Sequence, residues 1–385
     1  MIFRTHLPLH ARSQSNSKAV LIAAISGRAL AAAARRAGYR ALVADFFCDD
    51  DTRALAARTT RLPGDLHRGM DAEKIADALA GLSEGEEPLA LVCGSGFERL
   101  PELVDTLAAR FPLAGCGGEA IRRVKDPERF AADCAALGIP HPEIRRAPPA
   151  DPRNWLVKRD GGAGGTHVSR ANGDAAAPGR YFQRFVAGGS VSALFVADGG
   201  QAHVVGFSRQ FAAPTANAPY RYGGAVRLRR LDRRDAGTIG GWLSALTRRC
   251  NLVGLCSADL IRGARGYHLL EINPRPGATL DIFDTEEAPL MEAHIAAARG
   301  RAIRLPVFSD CMASVIAYAD RPLEMFPRID WPDWAADRQA AGTALQAGDP
   351  VCTIFARGAN MRATRQALNA RARELQRQWA GGARP

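Results

Sequence analysis

Apolar positions in this chain follow two spacings, continuous or alternating runs and helical stripes, and their order predicts the architecture. Ala19-Val20-Leu21-Ile22-Ala23-Ala24 is an unbroken apolar run, the pattern of a strand buried on both faces of a parallel sheet. An Ala-rich helix is predicted over 27–38 and a second strand over 41–45, which together close a β-α-β unit. A third strand, Leu89-Ala90-Leu91-Val92-Cys93, runs into Gly94-Ser95-Gly96-Phe97-Glu98 and a helix over 100–110. Such an open α/β layer binds ligands at the carboxyl ends of its strands, so Ser95 and Glu98 are candidates for substrate contact. A plain turn followed by a helix start explains the same residues equally well. The stretch 113–118 reads as a linker into a second unit.

Beyond it, Lys125-Asp126-Pro127-Glu128 opens a helix that runs to Leu137 and ends at Gly138. Trp155-Leu156-Val157-Lys158 is a short strand, and 181–186 is another, broken at Ala187-Gly188-Gly189 and resumed over 190–196. A strand over 204–210, a loop at Tyr222-Gly223-Gly224 and a helix over 236–250 follow. Cys256-Ser257-Ala258-Asp259-Leu260-Ile261 and Leu269-Leu270-Glu271-Ile272-Asn273 alternate apolar with polar positions around a glycine-containing turn at 262–266, which predicts a hairpin. Helix and strand are expected to alternate to about Gly300, followed by a separate piece with strands at 313–318 and 351–356 and an amphipathic helix over 361–379. The expected units are a tail over 1–18, an α/β layer over 19–120, a central unit over 121–300 and a small α+β unit over 301–385, with disordered extremes that include 381–385.

Composition narrows the class. With 385 residues, 47% of them hydrophobic, the chain can bury several cores. No apolar run approaches the ~20 residues that span a bilayer, and residues 1–18 lack an apolar signal core, so no membrane partner and a cytoplasmic location are expected. The eight cysteines include no C-x-x-C pair, which predicts reduced, buried thiols and no zinc site. A net charge of +11 would permit nucleic-acid binding, and a nonenzymatic basic binding protein is the bland alternative. The basic residues are dispersed, however, and the 7% aromatic content is low for base stacking, so an acidic small molecule is favoured and nucleic acid is not expected.

Lysine is rare. Only Lys18, Lys74, Lys125 and Lys158 interrupt the use of arginine, and a chain with that habit leaves lysine where a compact ammonium suits the site better. Lys18 and Lys74 are explained by solvation. Lys125 lies at a helix entrance, where its charge adds to backbone donors that attract anions. Lys158 lies at the base of Arg159-Asp160-Gly161-Gly162-Ala163-Gly164-Gly165-Thr166, whose four glycines let backbone N–H groups approach a phosphate. A flexible hairpin tip is the competing explanation. The loop is not a Walker A loop, since its lysine precedes the glycines, and the first turn lacks the G-x-G-x-x-G of a dinucleotide site.

The hairpin carries the remaining chemistry. Alternation puts Glu271, Asn273 and Arg275 on one face, while strand pairing brings Asp259 toward Glu271, a repulsion that a cation relieves. Hard oxygen donors beside an anion-holding guanidinium suit Mg²⁺ with nucleotide phosphates, although a solvated edge strand would show the same alternation. Backbone groups near Arg184, Phe185 and Val186 are placed to read an adenine edge.

The ordered set of Lys125, Lys158 with its glycine loop, Gln183 to Val186, Asp259, Glu271, Asn273 and Arg275 resembles the ATP-grasp superfamily over roughly residues 19–300. The resemblance implies an ATP-grasp fold with a Rossmann-like N-terminal domain and a small C-terminal domain. It implies that Lys125 and Lys158 hold ATP phosphates beneath a flap of Gly161, Gly162, Gly164, Gly165 and Thr166, and that Gln183, Arg184, Phe185 and Val186 form the adenine hinge. Asp259, Glu271 and Asn273 would bind two Mg²⁺ ions, with Mn²⁺ as a substitute, and Arg275 would steady the transferred phosphoryl group. Two departures stand out: Gln183 replaces an acidic hinge residue, and the residues after Arg275 lack the Val-Glu-His run of biotin carboxylases. Within the superfamily the chain is similar to predicted carboxylate-amine ligases that include tyramine-glutamate ligase of methanofuran synthesis, on Gly94-Ser95-Gly96-Phe97-Glu98, Pro274-Arg275-Pro276-Gly277 and Gly348-Asp349-Pro350-Val351. That implies an acyl-phosphate ligase for a small acid and a small amine, with a carboxylase as the alternative and a homodimer left open.

Overall fold

A computed structural model of the chain describes residues 18–65 and 68–380; the tail before Lys18 and the extreme end from Gly381 lie outside the described residues. The N-terminal layer runs β1 (Ala19–Ala23), α1 (Arg28–Arg36), β2 (Arg40–Asp45), α2 (Asp50–Leu55), β3 (Arg58–Arg61), a short ribbon of β4 (Gly64–Asp65) and β5 (Gly69–Met70), α3 (Ala72–Leu82), β6 (Ala90–Cys93), α4 (Pro101–Ala108) and β7 (Leu113–Ala114). The sheet order is β3-β2-β1-β6-β7, parallel throughout. Alternation assigns the faces: Leu21 and Ala23 pack in the core that includes Ile75 and Leu79 of α3, whereas Val20 and Ile22 pack with Leu30 and Ala34 of α1. The stretch 113–118, expected as a linker, contains β7, whose two residues pair with Leu91 and Val92. Two residues are too few for periodicity to reveal.

Next come α5 (Gly118–Lys125) and α6 (Pro127–Ala136), separated only by Asp126, which caps α6 by accepting from the N–H groups of Glu128 and Arg129. Lys125 is therefore the last residue of one helix as well as the approach to the next. A four-stranded antiparallel sheet follows, in the order β10-β9-β11-β8, from β8 (Ile144–Arg145), β9 (Trp155–Arg159), β10 (Val168–Arg170) and β11 (Arg180–Arg184). The chain then crosses to a second, larger sheet with β12 (Gly189–Asp198), β13 (Ala202–Ala212), β14 (Tyr222–Arg227), α7 (Arg233–Cys250), β15 (Val253–Gly263) and β16 (Gly266–Asn273). The expected interruption at 187–189 is thus a change of sheet, and Tyr222-Gly223-Gly224, expected as a loop, begins a strand.

After β16 the expected alternation stops: α8 (Leu280–Phe283) and α9 (Leu290–Ala298) follow without an intervening strand. The remaining elements are β17 (Cys311–Tyr318), β18 (Ala335–Ala336), β19 (Pro350–Gly358) and α10 (Met361–Ala380). Because β17 pairs with β14, these residues extend the large sheet to the order β16-β15-β12-β13-β14-β17-β19-β18. The piece beyond 300 has its own apolar cluster, including Ile354, Leu368, Leu375 and Trp379, yet it is joined edge to edge with the central sheet.

One side chain ties the first layer to this sheet. His294 of α9, 1% exposed, accepts from the Leu255 N–H at Nδ1 (2.7 Å) and donates from Nε2 to the Ala114 carbonyl (2.9 Å), which fixes a neutral ring protonated on Nε2. Burial pushes its pKa down to about 4. The unfolded ring protonates near pH ~6.5, so between the two values the unfolded state binds more protons; the stability present above pH ~6.5 falls as pH drops toward about 4, by up to about 3 kcal/mol in all. In urea titrations at pH 7 and 4.5, wild-type stability is expected to drop by about 2 kcal/mol more than that of His294→Leu. Equal drops would show that this histidine does not couple folding to protons.

Candidate active site

Pairing in the β15–β16 hairpin sets Asp259 opposite Glu271 and Ser257 opposite Asn273. Leu255, Ser257 and Asp259 share one strand face, which begins in the apolar core beneath α9 and emerges as the site. Asp259 accepts from Gln210 Nε2 (3.0 Å) and Asn273 Nδ2 (3.1 Å). Burial, then the Glu271 charge, pushes the Asp259 carboxyl above the ordinary range. Burial acts on Glu271 in the same sense, but Lys125 and then Lys158 outweigh it and hold that carboxyl well below the usual range.

The two lysines arrive from different elements. Lys125 Nζ donates to Asn273 Oδ1 (2.7 Å) and lies 3.7 Å from Glu271 Oε2. Lys158, 7% exposed, is opposite Tyr181 in β11, and opposed residues of an antiparallel pair project to one side. The same register puts Leu156, Gln183 and Ile144 together, so Lys158, Tyr181 and Gln183 share a face, whereas Trp155, Val157 and Phe182 form a small core with Ala171. Burial lowers the pKa of Lys158 against the pull of Glu271 and Asp259. A cleft of about 370 Å³ opens there, lined by Lys125, His141, Tyr181, Glu271 and His167 among others.

Among the described residues no group of three or more His, Cys, Asp or Glu could hold a metal ion by itself. Asp259, Glu271 and the Asn273 amide oxygen fit Mg²⁺ in a different sense: two mutually repelling carboxylates supply hard donors, and phosphate oxygens and water would complete the shell. On the β11 face shared with Lys158, Gln183 is 1% exposed with Nε2 unpartnered, and Nε2 of His141, which lines the cleft, and Nδ1 of His268 in β16 are likewise buried without partners. Burial takes His141 down to about 4, which keeps it neutral. Residues 185–188 carry the chain from one sheet to the other, placing Phe185 and Val186 at that crossing beside Arg184, the last residue of β11.

Arg275 donates through Nε to the Glu98 carboxylate and through Nη1 to the Pro276 carbonyl (3.3 Å). The Glu98 side chain is 3% exposed, and burial would raise its pKa, but Arg275 and then Lys125 outweigh that and lower it. Ser95, half-buried on the same turn, accepts the Ile25 N–H with its carbonyl (2.9 Å).

The glycine loop between β9 and β10 is fastened rather than free. Gly164 accepts the Tyr222 N–H (2.9 Å), and Arg221 is anchored on the Ala213 (2.9 Å) and Gly348 (3.0 Å) carbonyls while stacking 3.6 Å from the Tyr318 ring centroid. Thr166 is exposed. Gly165 has φ +74°, and a Cβ there would sit 1.9 Å from the Tyr220 carbonyl oxygen. Gly165→Ala is therefore expected to unseat the loop, speeding its cleavage by a nonspecific protease about tenfold, because seating is lost while the sheets stay folded. Unchanged cleavage would mean that the Tyr220 contact does not hold the loop.

Sequence reasoning missed Gln210, His141 and His268. Gln210 and Ser208 occupy alternate positions of β13, so period two was the available signal; His141 and His268 carried none.

Residues 132–279 match the family profile described as the ATP-grasp domain, so the chain carries an ATP-grasp domain within a mixed α/β fold. The fold is similar to that of the biotin carboxylase domain of Hydrogenobacter thermophilus 2-oxoglutarate carboxylase, with TM-score 0.71 and 13% identity over 92% of this chain and 89% of that one; that protein was solved with MgADP and bicarbonate. An L-amino acid ligase from Bacillus licheniformis aligns with TM-score 0.69 and 14% identity over 94% and 97% of the two chains. N5-carboxyaminoimidazole ribonucleotide synthetase from Thermotoga maritima aligns with TM-score 0.66 and 12% identity over 92% and 98%. No curated protein matches the chain by sequence.

Proposed function

We propose that this ATP-grasp chain is an ATP-dependent ligase that joins a carboxylate to an amine through an acyl phosphate, releasing ADP and phosphate. The observation that carries the reading is the clustering of Lys125, Lys158, Asp259, Glu271 and Asn273, with Lys125 and Glu271 lining the cleft together with Gly161 and Gly162 of the glycine loop. Lys125 and Lys158 would hold phosphate oxygens, loop N–H groups would add donors, and Arg184, Phe185 and Val186 would meet the adenine edge with Gln183 behind them. Two Mg²⁺ ions held by Asp259, Glu271 and Asn273, or Mn²⁺ in their place, would neutralise phosphate charge as it moves.

The acid's carboxylate oxygen attacks the γ-phosphorus, the bond to the ADP oxygen breaks, and Arg275 steadies the moving negative charge. The amine nitrogen then attacks the acyl carbon, phosphate leaves, and the amine gives up a proton. Such transfers ask the protein mainly for position and charge, which this cation-rich cleft supplies. Ser95 and the Glu98 turn would face the acid.

The likeness to an L-amino acid ligase over nearly its whole length supports an amino-acid-like acid, and the resemblance to the tyramine-glutamate ligase branch supports glutamate in the assembly of a methanofuran-type C1 cofactor. The units proposed for these roles are 19–120 for the acid, 121–300 for ATP and 301–385 as the closing domain, in a monomer or homodimer of the cytoplasm. Incubation with MgATP and pools of acids and amines, with ADP and condensed product followed by mass, is expected to give ADP only with the right acid and product only with the amine. Bicarbonate-dependent ADP formation without an amine would identify a carboxylase instead.

A further inference from the structure

We propose that Glu98 is a positioning residue: it fixes the orientation of the Arg275 guanidinium and touches neither acid nor amine. The inference rests on the ligase reading for its kinetic consequences and on geometry alone for the contact. Both Glu98 oxygens are taken, one by the Gly96 N–H (2.6 Å) and the other by Arg275 Nε. The side chain is 3% exposed, so no oxygen is offered to a ligand in solution.

The pocket bounded by Cys93, Phe97, Glu98, Pro274, Arg275 and His294, about 310 Å³, lies on the Glu98 side of this pair, and the nearly buried Glu98 carboxylate meets it with both oxygens already engaged. With Nε on Glu98 and Nη1 on the Pro276 carbonyl, Nη2 is the guanidinium nitrogen left to meet a ligand. An arginine side chain is long and rotamer-rich, and a charge-assisted bond through Nε removes that freedom. The pin comes from the N-terminal layer, while Arg275 follows β16. The turn that carries Ser95 therefore also carries the group that aims Arg275, which links seating of the acid to readiness of the phosphoryl-transfer centre.

A double-mutant cycle separates positioning from contact. Glu98→Gln is expected to lower kcat about 100-fold, the cost of a misplaced catalytic group, with KM for MgATP changed less than about threefold. Arg275→Ala should lower it further, and adding Glu98→Gln to Arg275→Ala should change nothing more, because a residue acting only through Arg275 has no effect without it. A double variant slower than Arg275→Ala by the whole Glu98→Gln factor would overturn the proposal. The ¹⁵Nε resonance of Arg275 in the free protein gives a readout independent of turnover. Wild type should show a shifted, exchange-protected Nε–H that Glu98→Gln loses; an unchanged resonance would also overturn it. Absence of acid-dependent ADP formation in wild type would sink the ligase reading without moving this signal.

Discussion

Asp259→Asn and Glu271→Gln are expected to abolish acid-dependent ADP formation alike, by about 10³-fold or more, and to move folding stability in opposite directions. The activity loss is common because each removes a negative donor from a site that must hold divalent charge against phosphate. The stabilities diverge because the free protein treats the two carboxylates differently. Asp259 is raised by burial and by the Glu271 charge, so an uncharged amide there relieves repulsion and leaves stability unchanged or higher by about 1 kcal/mol. Glu271 is the counterion of Lys125 and lies in the field of Lys158, and its loss leaves two largely buried cations underbalanced, at about 2 kcal/mol. Urea denaturation alongside an ADP assay checks both halves. Equal destabilisation by both variants would make the pair structural rather than functional.

Lys158→Met should separate binding from folding more sharply. Burial already lowers the pKa of this ammonium, so an apolar chain of similar length removes a desolvated charge, and stability should hold or rise by about 1 kcal/mol. MgATP affinity should fall about 100-fold, since a charge-assisted contact to phosphate disappears from a site that excludes water. Calorimetric titration of wild type and variant with a nonhydrolysable MgATP analogue gives the comparison. Equal affinities would remove Lys158 from the nucleotide site. The corresponding loss at Lys125 would be harder to interpret, because that ammonium also bonds Asn273 and neutralises Glu271.

The hairpin was legible because alternation with period two is local and the turn at 264–265 is short, but the turn register alone would set Asp259 opposite Leu270; a one-residue bulge there brings it opposite Glu271. The parallel strands β1, β2 and β6 were legible for a similar reason, as short apolar runs bounded by turn residues, whereas β3, Arg-Thr-Thr-Arg, has no apolar run to mark it. What stayed hidden depends on distant pairing. β7 is a strand only because Leu91 and Val92 lie beside it, and β14 carries glycines that hide its period. That the piece after 300 joins the central sheet follows from β14 meeting β17 across nearly ninety residues of chain, which no window of sequence encodes. At the site, Lys125 stood out by the rarity of lysine, but its bond to Asn273 and the bracing of Asp259 by Gln210 exist only in three dimensions. His294 gave no signal either, since its role is set by a carbonyl 180 residues away.

The most direct test is a crystal structure of the chain with MgADP. Expected are a cation within about 2.1 Å of oxygens from Asp259 or Glu271 and from phosphate, Lys125 and Lys158 on the phosphates, the adenine at Arg184 to Val186, and the glycine loop above. A nucleotide bound elsewhere, or a cation held without either carboxylate, would contradict this arrangement.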